Sequence, residues 1–406
     1  MENDLRRRMK HLQLATLAAA LSACLTPLAA QAAAGAFGAG SMQDIFALEG
    51  VGGGPGVFGV VRGQSMVSLY GSMDVGLDYS NAGGKTVARV ESGNEYASKW
   101  GIYGQEQLGN QWTAFFRLES AFNLNNGSVQ SQTSFFNRAS YIGLDSPTWG
   151  TLSFGRQLSG ESSMAIGSDV FLANGHQSIS AFLSGYADLG YGSNVALSRI
   201  NNSISYYTPY FGPFSANFFY ALKSNQAVGP KTQNASVTLS YATRQNVATA
   251  SYSQTYCDAD PSSSTPCLQN TTSEPSVRTD NVLLSYLHDF GAFTGAASYL
   301  WNHPRYAGDH SSQTFVLGAE KLIGRNLLRA SVGYRDTTQA GNYAWGATLG
   351  EDYFLSRRTS LYARFGFLKN GPKSAQIYNY DTTDAYPSPA MGKSVVSTTI
   401  GVLHNF

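Results

Sequence analysis

The sequence predicts an all-β protein: a 16-stranded antiparallel β-barrel that crosses a membrane, with short turns at one rim and long loops at the other. Three observations point there. Only 13% of the 406 residues are charged, while glycine supplies 43 residues and aromatics 13%; soluble domains carry about 25% charged residues. From residue 66 onward, segment after segment alternates apolar and polar side chains with a period of two. The connections between those segments alternate in length, short then long.

The same composition excludes other classes. Disorder goes with few aromatics and high net charge, and this chain has neither. Past residue 33 no run of about 18 apolar residues occurs, which excludes a bundle of membrane helices. A net charge of +1, from 27 Lys+Arg and 26 Asp+Glu, lacks the basic excess of a nucleic-acid binder.

The amino terminus reads as a secretion signal over residues 1–32. From Met9 it has a basic start, an apolar core and the small-x-small pattern Ala30-Gln31-Ala32 before Ala33. Arg6, Arg7 and Arg8 precede that stretch, so Met9 is a candidate start. Leu21-Ser22-Ala23-Cys24 resembles a lipoprotein processing box, and cleavage near Ala32 is the favoured alternative. Residues 33–64 form a Gly-rich extension without a strand signature. Two readings are open for it: a periplasmic tail, which the ordering cost of so many glycines favours, and a segment that enters the lumen. The barrel is assigned to residues 65–406. Export implies an oxidising compartment, where Cys257 and Cys267, in the polar stretch YCDADPSSSTPCLQ, read as a disulfide closing one loop.

The strands follow in order. In 111–122, Trp112, Ala114, Phe116, Leu118 and Phe122 share one face, while Gln111, Thr113, Arg117 and Glu119 share the other. Ala235, Val237, Leu239 and Tyr241 alternate with Ser236, Thr238 and Ser240. Leu328, Ala330, Val332 and Tyr334 alternate with Arg329, Ser331 and Arg335; Ala363, Phe365 and Phe367 alternate with Tyr362 and Arg364. Alternation alone fits a soluble sandwich as well as a membrane barrel. Connection lengths decide. Short ones lie near 108–111, 145–150, 209–214, 242–247, 289–292, 321–326 and 354–358. Long ones lie near 81–97, 123–133, 159–197, 223–232, 257–278, 302–312, 336–342 and 370–392. A Greek-key sandwich has no reason for that regularity, and a sheet in lipid must close because an open edge leaves amides unpaired. The last segment puts Val396, Ile400, Val402 and the terminal Phe406 on one face, which fits a lipid-facing edge and its aromatic girdle.

The chain resembles the trimeric general porins of Gram-negative bacteria, in their betaproteobacterial branch. The resemblance is carried, in order, by SLYGSMDVGL (68–77), SKWGIYGQEQLGNQWTAFFRLESAFN (98–123), NRASYIGL (137–144), WGTLSFGRQ (149–157), SRINNSISYYTPYFGPF (198–214), YFLSRRTSLYARFGFLKN (353–370) and TTIGVLHNF (398–406). It implies a bacterial outer-membrane channel for passive diffusion of ions and small hydrophilic solutes. It also implies a homotrimer set among outer-membrane lipid and lipopolysaccharide. The Gly-rich extension departs from the family, whose first strand starts soon after the signal.

The resemblance further implies that the third long loop, 159–197, folds into the lumen with Glu161, Asp169 and Asp188 as candidate acids. Basic residues on the facing wall would be Lys99, Arg156 and Arg199 by motif position, with Arg117 and Arg138 as further candidates and Glu119 as an acidic one. Acids facing bases make a transverse field that orients polar solutes and hinders apolar ones. The basic cluster leans toward weak anion selectivity. Lys99 and Arg199 share parity with polar neighbours, whereas Arg156 shares parity with Leu152 and Phe154, so either a bulge re-aims it or the carry-over fails there.

No enzyme, cofactor or metal site is expected. His176, His303 and His310 fall in loops without metal spacing, and no Ser with a supporting motif accompanies His404. A substrate-selective channel on the same barrel is the alternative function.

Overall fold

A computed structural model of the chain describes residues 64–173, 177–179, 188–190, 199–222, 232–256, 278–356, 358–378 and 389–406. The secretion signal, all but the last residue of the Gly-rich extension, the Cys257/Cys267 pair and parts of the 159–197 loop lie outside the described residues.

The described residues form one antiparallel sheet. Its strands are β1 (Met66–Ala82), β2 (Lys85–Ser92), β3 (Lys99–Gly109), β4 (Trp112–Ala121), β5 (Ala139–Ser146) and β6 (Gly150–Leu158). A short helix, α1 (Gly160–Ser168), follows, then β7 (Arg199–Tyr207), β8 (Phe214–Leu222), β9 (Thr232–Ala242), β10 (Asn246–Tyr256) and β11 (Arg278–Asp289). The sheet continues through β12 (Thr294–Pro304), β13 (Ser312–Ile323), β14 (Asn326–Thr337), β15 (Tyr343–Phe354), β16 (Thr359–Asn370) and β17 (Val395–Asn405). From β3 onward each strand pairs with the next, and β17 returns to β1 with Ser72 opposite Asn405 and Ala82 opposite Val395. The barrel is closed, so no edge strand leaves its amides unpaired.

Seventeen strands make sixteen staves, because β2 and β3 share one. β1 pairs with β3 along its first half, Ser72 facing Lys99, and with β2 along its second, Val75 facing Ser92. Residues 93–98 interrupt that stave. The long connection expected at 81–97 is therefore mostly strand: β1 runs to Ala82, turns through Gly83 and Gly84 at φ 65° and 98°, and returns as β2. The turn needs a left-handed backbone, which glycine adopts at no steric cost.

The faces are inverted relative to a soluble protein. On β9, Ser236 and Thr238 are buried while Val237 and Leu239 are exposed; Leu77, Ile142, Leu317 and Ile400, on other strands, are at least 60% exposed. A continuous apolar exterior is stable only against lipid. Exposed Trp149, Tyr210, Phe211, Phe290 and Phe293 ring the short-turn rim, and Tyr79, Tyr252, Tyr334 and Trp345 lie toward the long-loop rim. Such aromatic girdles sit at the two membrane interfaces.

Phe406 completes the closure. Its amide donates to the Gly71 carbonyl at 3.0 Å and its carbonyl accepts from the Gly71 amide at 3.1 Å. Its ring lies over Gly71, where a Cβ would overlap it.

Candidate functional site

The inward faces of β1, β3, β4 and β5 bring together most of the predicted basic residues. The pairings put Tyr103 opposite Arg117, Arg117 opposite Tyr141 and Lys99 opposite Ala121. At their centre is the predicted acid Glu119. One carboxylate oxygen accepts from Arg117 Nη2 at 2.6 Å and from the Tyr70 hydroxyl at 2.8 Å, and lies 3.8 Å from Lys99 Nζ. The other accepts from Arg138 Nε at 2.8 Å. Arg117 Nε donates to the Tyr70 hydroxyl at 2.6 Å, and Lys99 Nζ donates to the Tyr96 hydroxyl at 3.0 Å. Lys99, Arg117 and Arg138 against the single carboxylate of Glu119 leave a positive surplus. A charge held among hydrogen bonds in a low-dielectric wall acts more strongly than on an open surface.

Arg199 opens β7 opposite Leu158 and is within electrostatic reach of Glu119. Arg156 sits at a bulge: the register of β6 against β7 shifts between Gly155 and Gln157, and Gly155 has φ 137°. Its guanidinium donates to the Asn137 carbonyl and to Asn201 Oδ1, both at 2.7 Å. Arg156 thus ties the approach to β5 to the start of β7.

The loop carboxylates are each engaged, Asp169 within the loop and Glu161 and Asp188 with the barrel wall. Asp169 ends α1 and accepts the Phe171 and Ala173 amides at 3.0 and 3.2 Å and the Ser178 hydroxyl at 2.5 Å, so it organises the loop's own turn. Asp188 is gripped by Arg335 on β14, at 2.9 and 2.7 Å, and also accepts from Asn342 at 2.8 Å. Glu161, fully buried on α1, accepts from the Ser253 hydroxyl of β10, and burial pushes its carboxyl up to about 7.

The described residues of this loop lie inside the barrel, along the inward faces of β8 to β17. Gly160 abuts Asn217 and Thr238, and the Ser298 hydroxyl donates to the Ser168 carbonyl at 3.4 Å. Beyond α1, Val170 lies against Gly318 of β13, Phe171 against Gly350 of β15 and Ile179 against Gly333 of β14. The Gln177 side chain donates to Ser397 Oγ at 2.8 Å and accepts from Thr399 Oγ1 at 3.1 Å, both on β17. Three wall glycines on neighbouring strands therefore leave room for three apolar loop side chains.

A second charged cluster was not foreseen. The interruption at 93–98 carries Glu95 to Arg329 on β14 and Arg364 on β16, at 3.1 and 2.9 Å. Arg329 also meets Asp352 at 2.6 Å and Glu320 at 3.7 Å. Asp74 fixes the turn, accepting the Glu95 and Tyr96 amides at 2.6 and 2.5 Å and the Tyr362 hydroxyl at 2.5 Å. Adjacent residues Glu95 and Tyr96 thus join the two clusters. The sequence signal was the polar-face position of Arg329 and Arg364; Glu95 lay in a stretch read as loop.

The fold is shared with known proteins. Residues 17–373 match the Gram-negative porin family model. The chain belongs to the Gram-negative porin family. This porin is 28% identical over 356 residues to outer membrane porin protein 32 of Delftia acidovorans, covering 86% of this chain and 96% of that one. It is 34% identical over 117 residues to an outer membrane porin protein of Bordetella pertussis, covering 25% of this chain and 30% of that one. Among solved structures it is similar to the anion-selective porin from Comamonas acidovorans, with TM-score 0.73 and 25% identity over 84% of this chain and 100% of that one. The trimer form of OmpT from Vibrio cholerae shares the fold at TM-score 0.59 and 12% identity, over 84% of this chain and 99% of that one. The porin is a multi-pass β-barrel of the bacterial outer membrane and forms a water-filled channel for passive diffusion of ions and small hydrophilic solutes. Sixteen staves are wide enough to leave such a channel.

Proposed function

We propose that the channel is weakly anion-selective and that Lys99, Arg117, Arg138 and Arg199 set its preference. One observation carries the reading: three cationic side chains share the single carboxylate of Glu119 on the inward wall. Like-signed clusters in a constriction bias ion passage. The similarity to an anion-selective porin supports the same sign. The described part of the 159–197 loop narrows the lumen, and its acids Glu161, Asp169 and Asp188 hold it in place rather than facing the cations around Glu119. Arg156 braces the wall at its bulge. The porin works as a homotrimer among outer-membrane lipid and lipopolysaccharide, as the trimeric neighbour supports.

The test is planar-bilayer conductance of the refolded mature chain under a KCl gradient. Steps in threefold units with a reversal potential of anion sign support the proposal; cation sign sinks it. A substrate-selective channel is the second reading, favoured by Tyr70 and Tyr103 buried on the wall that holds Arg117. Current that saturates with one solute class, and not with KCl, would favour it.

A further inference from the structure

The outer surface near the long-loop rim holds a polar constellation that the channel does not use. Asp280 of β11 is on the outward face, opposite His303 of β12. It is 1% exposed at its side chain, yet two arginines that hold it are 37% and 48% exposed. Arg305 Nε donates to Asp280 Oδ2 at 2.6 Å, with Nη2 at 2.5 Å from the same oxygen. Arg278 lies at 3.0 Å through Nε and 3.3 Å through Nη2. The Tyr252 hydroxyl donates at 3.0 Å to Asp280 Oδ1, the oxygen that Arg278 Nε also meets. Beside them the rings of Trp301 and His303 stack at 5.1 Å and 10°.

Position and charge say what such a group meets. β10 ends at Tyr256, β11 starts at Arg278 and β12 ends at Pro304, so the arginines stand where the staves leave the membrane. Toward the middle of the barrel the outward face is apolar, with Leu239 and Leu317 57% and 60% exposed. Two guanidiniums share one carboxylate, which leaves a surplus positive charge. The carboxylate also fixes both planar forks before any ligand arrives, and a guanidinium fork matches a phosphate's oxygens. Stacked aromatic rings at this level are suited to the headgroup boundary.

We propose that Arg278 and Arg305, aligned by Asp280, form a binding site for the phosphate of an outer-leaflet lipid headgroup, with Trp301 and His303 flooring it. The site rests on the barrel's outward face meeting lipid and is independent of the ion preference inside. Each arginine near a membrane surface contributes about fivefold to anionic-lipid affinity, so the pair contributes about 25-fold.

The test uses the full mature chain, folded in detergent and incubated with bisphosphorylated lipid A, its dephosphorylated form, or inorganic phosphate. Retained lipid is read by native mass spectrometry. The wild type is expected to keep the bisphosphorylated lipid and lose the dephosphorylated one, a comparison that needs no variant. The double substitution Arg278→Ala, Arg305→Ala is expected to lower retention about 25-fold while its bilayer conductance stays as in the wild type. Equal retention of both lipids, or equal retention by wild type and variant, overturns the site. Displacement of the lipid by millimolar inorganic phosphate also overturns it, since the site would then be one for free phosphate. A wild type that keeps the bisphosphorylated lipid but conducts no ions would count against the channel reading alone.

Discussion

Arg335 of β14 holds Asp188 of the inward loop through a two-pronged pair, Nη1 to Oδ2 at 2.9 Å and Nη2 to Oδ1 at 2.7 Å. The acid is thereby occupied by a wall cation outside the group that surrounds Glu119. Geometry of this kind is stronger than an ordinary surface pair, and the Arg335 side chain is fully buried. Asp188→Asn keeps the shape and removes the charge. The expected outcome is a looser loop, read as greater single-channel current noise, with little change in reversal potential. A large shift of reversal potential toward anions would instead make Asp188 a field-setting residue.

The glycine seats give a second prediction. A Cβ on Gly350 would stand 2.7 Å from the Phe171 ring, and that ring also supports the Arg364 guanidinium at 5.0 Å. Gly350→Val should push the loop off its seat and cost about 1–3 kcal/mol, as overpacking does. Conductance should change while the barrel still resists SDS at room temperature. Unchanged conductance and melting temperature would show that the seat does not hold the loop.

Glu161 predicts a pH dependence. Burial raises its carboxyl to about 7 from 4.5. The seated loop therefore binds the proton that a released loop gives up. Its anchoring is full below the ordinary carboxylate range and is lost as pH rises through about 7. The wild-type melting temperature, compared with that of Glu161→Gln, should fall between about pH 5 and pH 8. Parallel profiles for the two proteins would contradict the assignment.

The last residue is a fourth case. Phe406 and Gly71 exchange two backbone hydrogen bonds, and the ring covers Gly71. Removing Phe406 alone opens the seam between β17 and β1 at its end. The refolded fraction that migrates as a compact, heat-modifiable species should drop. Wild-type refolding yield would count against a role in closure.

Much of this was legible beforehand. Period two exposes a strand and its faces together, so Val237 and Leu239 outside and Ser236 and Thr238 inside followed directly. Lys99, Arg117, Arg138 and Glu119 converge because β3 pairs with β4 and β4 with β5. The Glu95 cluster was not legible, since its partners lie 234 and 269 residues along the chain. Pairing across such distances depends on closure of the barrel, which fixes which staves meet. The interruption at 93–98 hid Glu95 for the same reason: β2 is only eight residues long, too brief to show its own period. The seats of Val170, Phe171 and Ile179 were hidden as well, because a wall glycine shows its purpose only once the side chain against it is known.

The cations around Glu119 are the groups proposed to set the ion preference. The most direct measurement is the reversal potential in a KCl gradient for the wild type and for the double substitution Lys99→Gln, Arg138→Gln, both verified as folded by heat-modifiable migration. Arg117 stays in place to keep Glu119 paired. An anion-sign potential is expected in the wild type, moving toward zero or reversing in the variant, with conductance of similar size. An identical potential in the two proteins would contradict it.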